Sequence, residues 1–330
     1  FNAVCVTDLV QSIVMTGALA IVLIYGISRA GGWTAVMDNA AALPGYLSLT
    51  STFDVASGSE VKYNFLTIFS TAAWGLGYFG MPHILVRFMA IEDEKKLVLS
   101  RRIASVWVVI AMTAGVLIGI VGLGMTKAGA LDTLTGSNSE TIIVRIAGII
   151  SQHNALTALI AGIILAGILA ATMSTADSQM LAAASGVSQN IVHDFLKIKI
   201  SEKTNLLIAR LTIVGIAIVS IFLARNPDSS VFKIVSFAWA GFGGAFGAVV
   251  LCSLFWKRCN LAGAIAGIIS GGATVFIWKY LVRPLGGILD IYELLPAFIV
   301  SLIFIIVVSL LTKAPDEEIV REFEAAGKKA

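Results

Sequence analysis

Trp74 and Tyr78 stand four residues apart in AAWGLGYFGMPHILVRF, residues 72–88. They share a face wherever the backbone between them is helical. Such an aromatic pair can pack against an apolar ring and contact an ammonium group. The same stretch carries Gly75, Gly77, Gly80 and Pro82 within eight residues. Gly and Pro release backbone N–H and C=O groups from their helical partners. In lipid each orphaned group costs several kcal/mol, so such backbone persists only against protein or water. The expectation is an unwound turn near the middle of a bilayer, and interrupted helices of this kind build substrate and ion sites in secondary transporters. The competing reading is a kinked packing helix with interfacial aromatics.

A second set of groups lies in AGILAATMSTADSQMLAAASG, residues 166–186, where Ala171, Ser174, Thr175 and Ser178 follow i, i+3, i+4, i+7 along one helical stripe. The hydroxyls of Ser174 and Thr175 and a carbonyl near Ala171 are hard oxygen ligands, the type an alkali cation takes. Against this stands plain close packing of small residues, with the hydroxyls bonded back to the preceding turn. Asp177 in the same helix is expected to face water or a partner, because a carboxylate at membrane depth costs at least about 2.5 kcal/mol. Asp8, in VTDLVQS, is either a carboxylate beside an ion path or an interfacial helix start. A third stretch, SFAWAGFGGAFGAVVL (residues 236–251), holds Gly241, Gly243, Gly244 and Gly247, a closely packed helix with the character of a hinge or gate. Its Trp239 is a gate side chain or a packed aromatic.

The elements that position these groups are membrane helices. The chain is 58% hydrophobic and 13% charged, with a mean hydropathy of +0.92. A soluble domain carries nearly twice that share of charge. Windows of about 20 apolar residues give eight spans, roughly 9–28, 64–90, 103–126, 155–189, 205–224, 231–256, 261–282 and 294–312. The connection 30–63 is polar, and SETIIVRIAGII within 127–154 reads as a short interfacial helix. One set of connections holds Lys95, Lys96, Arg101 and Arg102, then Lys197, Lys199 and Lys203, then Lys257 and Arg258, then the tail with Lys313, Arg321, Lys328 and Lys329. The opposite set is sparser, with Lys62, Lys127, Arg225 and Arg283. Positive charge stays cytoplasmic, which places the C-terminus inside. The tail, 313–330, reads as a solvated amphipathic helix.

The net charge of +3 implies no nucleic-acid partner, and no protein partner is implied. The three cysteines lack metal-ligand spacing, and His83, His153 and His193 are scattered, so no metal beyond an alkali ion is expected. No nucleophile–base cluster suggests an enzyme. The chain starts at Phe1 without a signal-peptide pattern and is read as a fragment lacking its natural start.

With WTAVMDNAAALPG added, these stretches resemble the sodium/solute symporter family, above all its proline-transporting members. WGLGYFGMPHILVRF is similar to the family's broken-helix signature, ILAATMST to its sodium-site helix, and SFAWAGFGGAFG follows in the same order and spacing. The likeness runs over essentially all 330 residues, to LLTKAPDEEIVREF in the tail. It implies an all-α polytopic membrane protein with a LeuT-type inverted-repeat fold, present in part, as a single transmembrane domain of about eight helices without the first four core helices. Span one is then the last helix of the first repeat, spans two to six the second repeat, and spans seven and eight are appended. The implied activity is sodium-coupled import of L-proline across the cytoplasmic membrane, by alternating access, with sodium co-transported. By the resemblance Trp74, Tyr78 and Pro82 line the substrate pocket. Ala171, through its carbonyl, and Ser174 and Thr175 hold sodium. Asp8, Arg87 and Trp239 belong to the ion path or gate. Met81 and Asp177 depart from the residues of some relatives. The alternatives are another small solute, such as pantothenate or a sugar, and a transporter-like sensor module.

Overall fold

The computed structural model describes residues 2–198, 201–226 and 230–329. Lys199 and the side chains of Lys328 and Lys329, used above for orientation, lie outside the described residues. The chain forms two compact units, Phe1–Val61 with Ala90–Ser230, and Lys62–Met89 with Val231–Ala330.

The first unit opens with α1 (Asn2–Arg29), whose 28 residues rise about 42 Å, enough to cross a bilayer core. Its end is dictated by two glycines. Gly31 takes φ +91°, Gly31 N–H donates to Ser28 O at 3.3 Å, and Gly32 N–H donates to Ile27 O at 2.9 Å, a Schellman motif. The polar connection folds into α2 (Trp33–Ala41) and a hairpin of β1 (Ser51–Asp54) and β2 (Ser59–Lys62), the only strands among the described residues. Later in the chain, α6 (Lys96–Lys127) closes with a second Schellman motif around Gly129. It is followed by α7 (Ile142–Ser151), α8 (Ala155–Ser185) with a π-helical continuation to Phe195, and α9 (Glu202–Leu223). The ten residues of α7 are too few for a crossing, as expected. Asn154 starts α8 through a capping box with Thr157.

Val22, Val36, Ile118, Val121, Met125, Ile146 and Ile164 form the buried centre of this unit. Lipid is as apolar as these side chains, so close packing rather than water exclusion holds the helices together. Small residues make that packing possible: a Cβ on Gly167 of α8 would lie 2.7 Å from Ala18 Cβ of α1. None of the described residues of α9 is buried, although the helix is long and apolar enough to span. Leu211, Ile221, Phe222 and Leu223 are exposed on it, a surface that a bilayer would cover.

The second unit contains the interrupted span. It begins with α3 (Phe65–Ala72), capped by Asn64, and continues as α4 (Trp74–Gly77), a 3₁₀ turn (Tyr78–Gly80), Met81 and α5 (Pro82–Met89). The break is narrower than the glycine content suggests. Gly75 and Gly77 stay helical, and Met81 leaves the helix, with φ −86° and ψ 110°. The cause is Pro82, which disfavours helical backbone at the residue before it and itself suits the first position of α5.

The rest of the unit is α10 (Val231–Phe242), a π-helical turn (Gly243–Gly247), α11 (Ala248–Phe255), α12 (Leu261–Ile277) with irregular turns to Leu289, α13 (Leu294–Leu311) and the exposed tail helix α14 (Glu317–Lys329). Seven helices among the described residues are long and apolar enough to cross a membrane. The eighth expected span, 64–90, is the interrupted one, and each of its pieces is too short by itself.

Glycines Gly77, Gly80 and Gly243 are placed for close approach rather than unwinding. A Cβ on Gly80 would lie 2.9 Å from Gly243 Cα, and one on Gly243 would lie 2.7 Å from Gly77 Cα. A Cβ on Gly75 would meet nothing within 4 Å. Gly80→Ala and Gly243→Ala are therefore expected to destabilise the protein by about 1–3 kcal/mol or more. Gly75→Ala should be neutral or stabilising by about 0.5–1 kcal/mol. Thermal unfolding of the purified variants in detergent checks both.

Candidate functional site

Trp74, Tyr78, Pro82, Arg87 and Trp239 belong to the second unit, and Asp8, Ala171, Ser174 and Thr175 to the first. Three of the five in the second unit meet directly. The indole of Trp239 stacks on Trp74 with centroids 5.3 Å apart, and meets the Tyr78 ring edge-on at 4.7 Å. Its Nε1–H donates to the Trp74 carbonyl at 3.0 Å. Room for the indole comes from Gly77, where a Cβ would lie 2.8 Å from Trp239 Cε2.

Trp74 also stacks on Phe232 and Tyr292, both with centroids at 5.8 Å. It is half-buried, whereas Tyr78 is 49% exposed and Pro82 is exposed at the start of α5. Arg87 is exposed in the last turn of α5, where a cation complements the helix dipole.

In the first unit the hydroxyl stripe keeps its helical geometry. Ser174 Oγ donates to Ala171 O at 3.0 Å, and the buried Ser178 donates to Ser174 O at 3.1 Å. The hydroxyls thus bond back to the preceding turn. The same bond brings the Ala171 and Ser174 oxygens together on one side of α8. Thr175 is exposed, Asp177 is half-buried on the same helix, and Asp8 is half-buried in α1.

Two aromatic partners of Trp74 escape a reading of the sequence. Phe232 lies just inside α10. Tyr292 lies in LDIYELL, ahead of α13, next to the buried Glu293. Burial, with the neighbouring Glu293 charge, raises the Tyr292 phenol well above its ordinary pKa. The phenol therefore stays protonated and donates to Ser236 O at 2.7 Å. One signal for this cluster stands in WKYLVRP: Lys279 and Arg283, four residues apart, share a face toward that acid.

The model of the sodium:solute symporter family matches residues 1–271. The chain belongs to the sodium:solute symporter family. That is a family of transporters, not enzymes. The chain is 38% identical over 323 residues to the osmoregulated proline transporter OpuE of Bacillus subtilis (strain 168), covering 98% of this chain and 62% of the relative. It is 37% identical over 327 residues to the sodium/proline symporter of Escherichia coli (strain K12), covering 99% of this chain and 61% of the relative. The chain thus spans about three fifths of the length of these relatives. Among solved structures, the substrate-bound outward-open state of a Na⁺-coupled sialic acid symporter matches with a TM-score of 0.67 at 16% identity, over 96% of this chain and 64% of that one. That match and the membrane-length helices give the chain a LeuT-type fold and make it a multi-pass membrane protein.

Trp239→Phe keeps a ring beside Trp74 and Tyr78 and removes the donor to the Trp74 carbonyl. It is expected to lower stability by about 1–2 kcal/mol, read as a lower melting temperature in detergent.

Proposed function

We propose that the chain is part of a sodium-coupled symporter that imports L-proline across the cell membrane by alternating access, with its C-terminus in the cytoplasm. The observation that carries this reading is the identity of 36–38% over nearly the whole chain to proteins named as proline transporters. The aromatic cluster at the interrupted helix supports it. A pyrrolidine ring offers an apolar face for Trp74 and Tyr78, and its secondary ammonium is attracted to the ring faces. Pro82 and the exposed part of Tyr78 provide the remaining lining. Trp239, bonded to the Trp74 backbone, acts as a strut that holds the two rings apart at a fixed spacing.

Sodium is cargo. The Ala171 carbonyl and the hydroxyls of Ser174 and Thr175 offer three oxygens from α8. Hard cations take about six or more oxygen ligands, so the others come from elements outside α8. When the ion arrives, the Ser174 hydroxyl keeps its proton on Ala171 O or turns it elsewhere, and presents a lone pair either way. Asp8 adds negative charge along the ion's route, and Arg87 stands beyond the break on the cytoplasmic side.

Transport then follows from linkage. Sodium occupancy favours the state that binds proline, and proline occupancy favours closure, each in proportion to its differential affinity for the two states. The membrane potential adds about 2.3 kcal/mol per elementary charge per 100 mV to inward movement of the ion.

Uptake of labelled proline by the intact protein in proteoliposomes, with and without a sodium gradient, tests the assignment. Uptake indifferent to proline and to sodium overturns it, and sodium-driven uptake of pantothenate or a sugar instead of proline reassigns the solute. Trp74→Ala is expected to raise the proline KM by about ten-fold, equivalent to about 1.4 kcal/mol, with a smaller change in half-saturating sodium. Ser174→Ala and Thr175→Ala should do the reverse. Equal losses in all three variants would refute separate roles for the two sets.

A further inference from the structure

The segment between α12 and α13 is bound into the second unit by a buried charge cluster. The Glu293 carboxylate is 1% exposed and lies 3.5 Å from Lys279 Nζ and 3.1 Å from Arg283 Nη1. Arg283 Nε meets Asp290 at 2.8 Å, so two acids balance two cations. Lys279 also sits over the Phe237 ring of α10, 4.0 Å from its centroid. A carboxylate this deeply buried persists because both of its oxygens are paired, and the pairing fixes the backbone at residue 293.

Tyr292, the preceding residue, is thereby fixed too, and it reaches three segments. Its ring stacks on Trp74 at 5.8 Å. Its hydroxyl donates to Ser236 O of α10 at 2.7 Å. Its N–H points at Ser70 Oγ of α3, 3.4 Å away. Trp239 and Tyr292 thus both brace the indole of Trp74, one from α10 and one from the α12–α13 connection.

We infer that Tyr292 is a positioning residue for Trp74, held in place by Glu293 with Lys279 and Arg283, so that the connection between α12 and α13 sets the affinity for the transported amino acid. The inference rests on the assignment of Trp74 to the substrate pocket. It gives this connection a role in solute recognition through Trp74, without contact with the solute.

The test uses the intact transporter in proteoliposomes, with variants normalised for amount in the membrane. Tyr292→Ala removes the ring and is expected to raise the proline KM by about ten-fold, with maximal velocity and half-saturating sodium each within about two-fold. Tyr292→Phe restores the ring without the hydroxyl and should recover most of the lost affinity. Glu293→Gln keeps the shape but weakens the pairing, and should shift KM in the same direction as Tyr292→Ala. Hydrogen exchange over residues 70–81, followed by mass spectrometry, should quicken in Tyr292→Ala and return toward the parent rate in Tyr292→Phe. An unchanged KM with unchanged exchange in Tyr292→Ala overturns the inference. So does an equal loss of proline affinity, sodium affinity and velocity that Phe does not rescue. If the parent protein takes up no proline, the solute assignment fails by itself, and the exchange of residues 70–81 still decides whether Tyr292 holds this segment.

Discussion

The second unit depends on two backbones approaching without side chains between them. Gly77, just before the 3₁₀ turn, and Gly80, its last residue, lie against Phe242 and Gly243 where α10 passes into its π-helical turn. A single Cβ at either surface would force the segments apart. The approach sets everything around it. It lets Trp239 lie flat against the backbone at Gly77, where its N–H reaches the Trp74 carbonyl. It also places Gly244 and Gly247 against Ala297 and Phe298 of α13. The place of the Trp239 indole in the aromatic cluster follows from this contact, because a Cβ on Gly77 would lie 2.8 Å from Trp239 Cε2.

How much of this could be read from the residues follows from the range of each interaction. The hydroxyl stripe at Ala171, Ser174 and Ser178 is local to one helix, and its geometry agrees with the i, i+3, i+4, i+7 spacing. The existence of a break in 64–90 was legible from Gly and Pro, but its place was not. Gly75, Gly77 and Gly80 all look like helix breakers when nothing is known of what comes near them. Only Pro82 acts through covalent geometry on its own neighbour, and Met81 is where the chain leaves the helix. Two of the three glycines answer a contact about 160 residues further along the chain. The hairpin 51–62 and the Trp74–Tyr292 stack were hidden for related reasons. A short hairpin of polar strands has little hydrophobic period to detect, and the stack joins residues more than 200 positions apart.

The back-bonded hydroxyls of α8 are compatible with close packing and with the proposed ion ligation alike. A serine that donates to the carbonyl three residues earlier keeps its lone pairs and presents two oxygens side by side at 3.0 Å. The bond satisfies the hydroxyl where it faces apolar neighbours. It also holds the two oxygens that the proposed sodium site would use side by side on α8. Gly167 nearby lets α8 lie close on α1, against Met15 and Ala18.

The last two long helices have a comparable double use. A line of glycines, Gly263, Gly267 and Gly271, admits Ile305, Ser301 and Ser309 of α13 against α12, and Ser301 Oγ donates to Gly267 O at 3.0 Å. At the other end of the pair, Asn260 caps α12 and donates to Thr312 Oγ1 and Lys313 O, each at 2.7 Å. Locked at one end by the cap and along its length by the glycines, the pair behaves as one body. Its connection carries Glu293 and Tyr292. A displacement of that body relative to α10 therefore breaks the Ser236 bond, and keeps the Trp74 stack only by carrying the interrupted helix with it. The last two long helices, α12 and α13, are thereby coupled to the aromatic cluster at the interrupted helix.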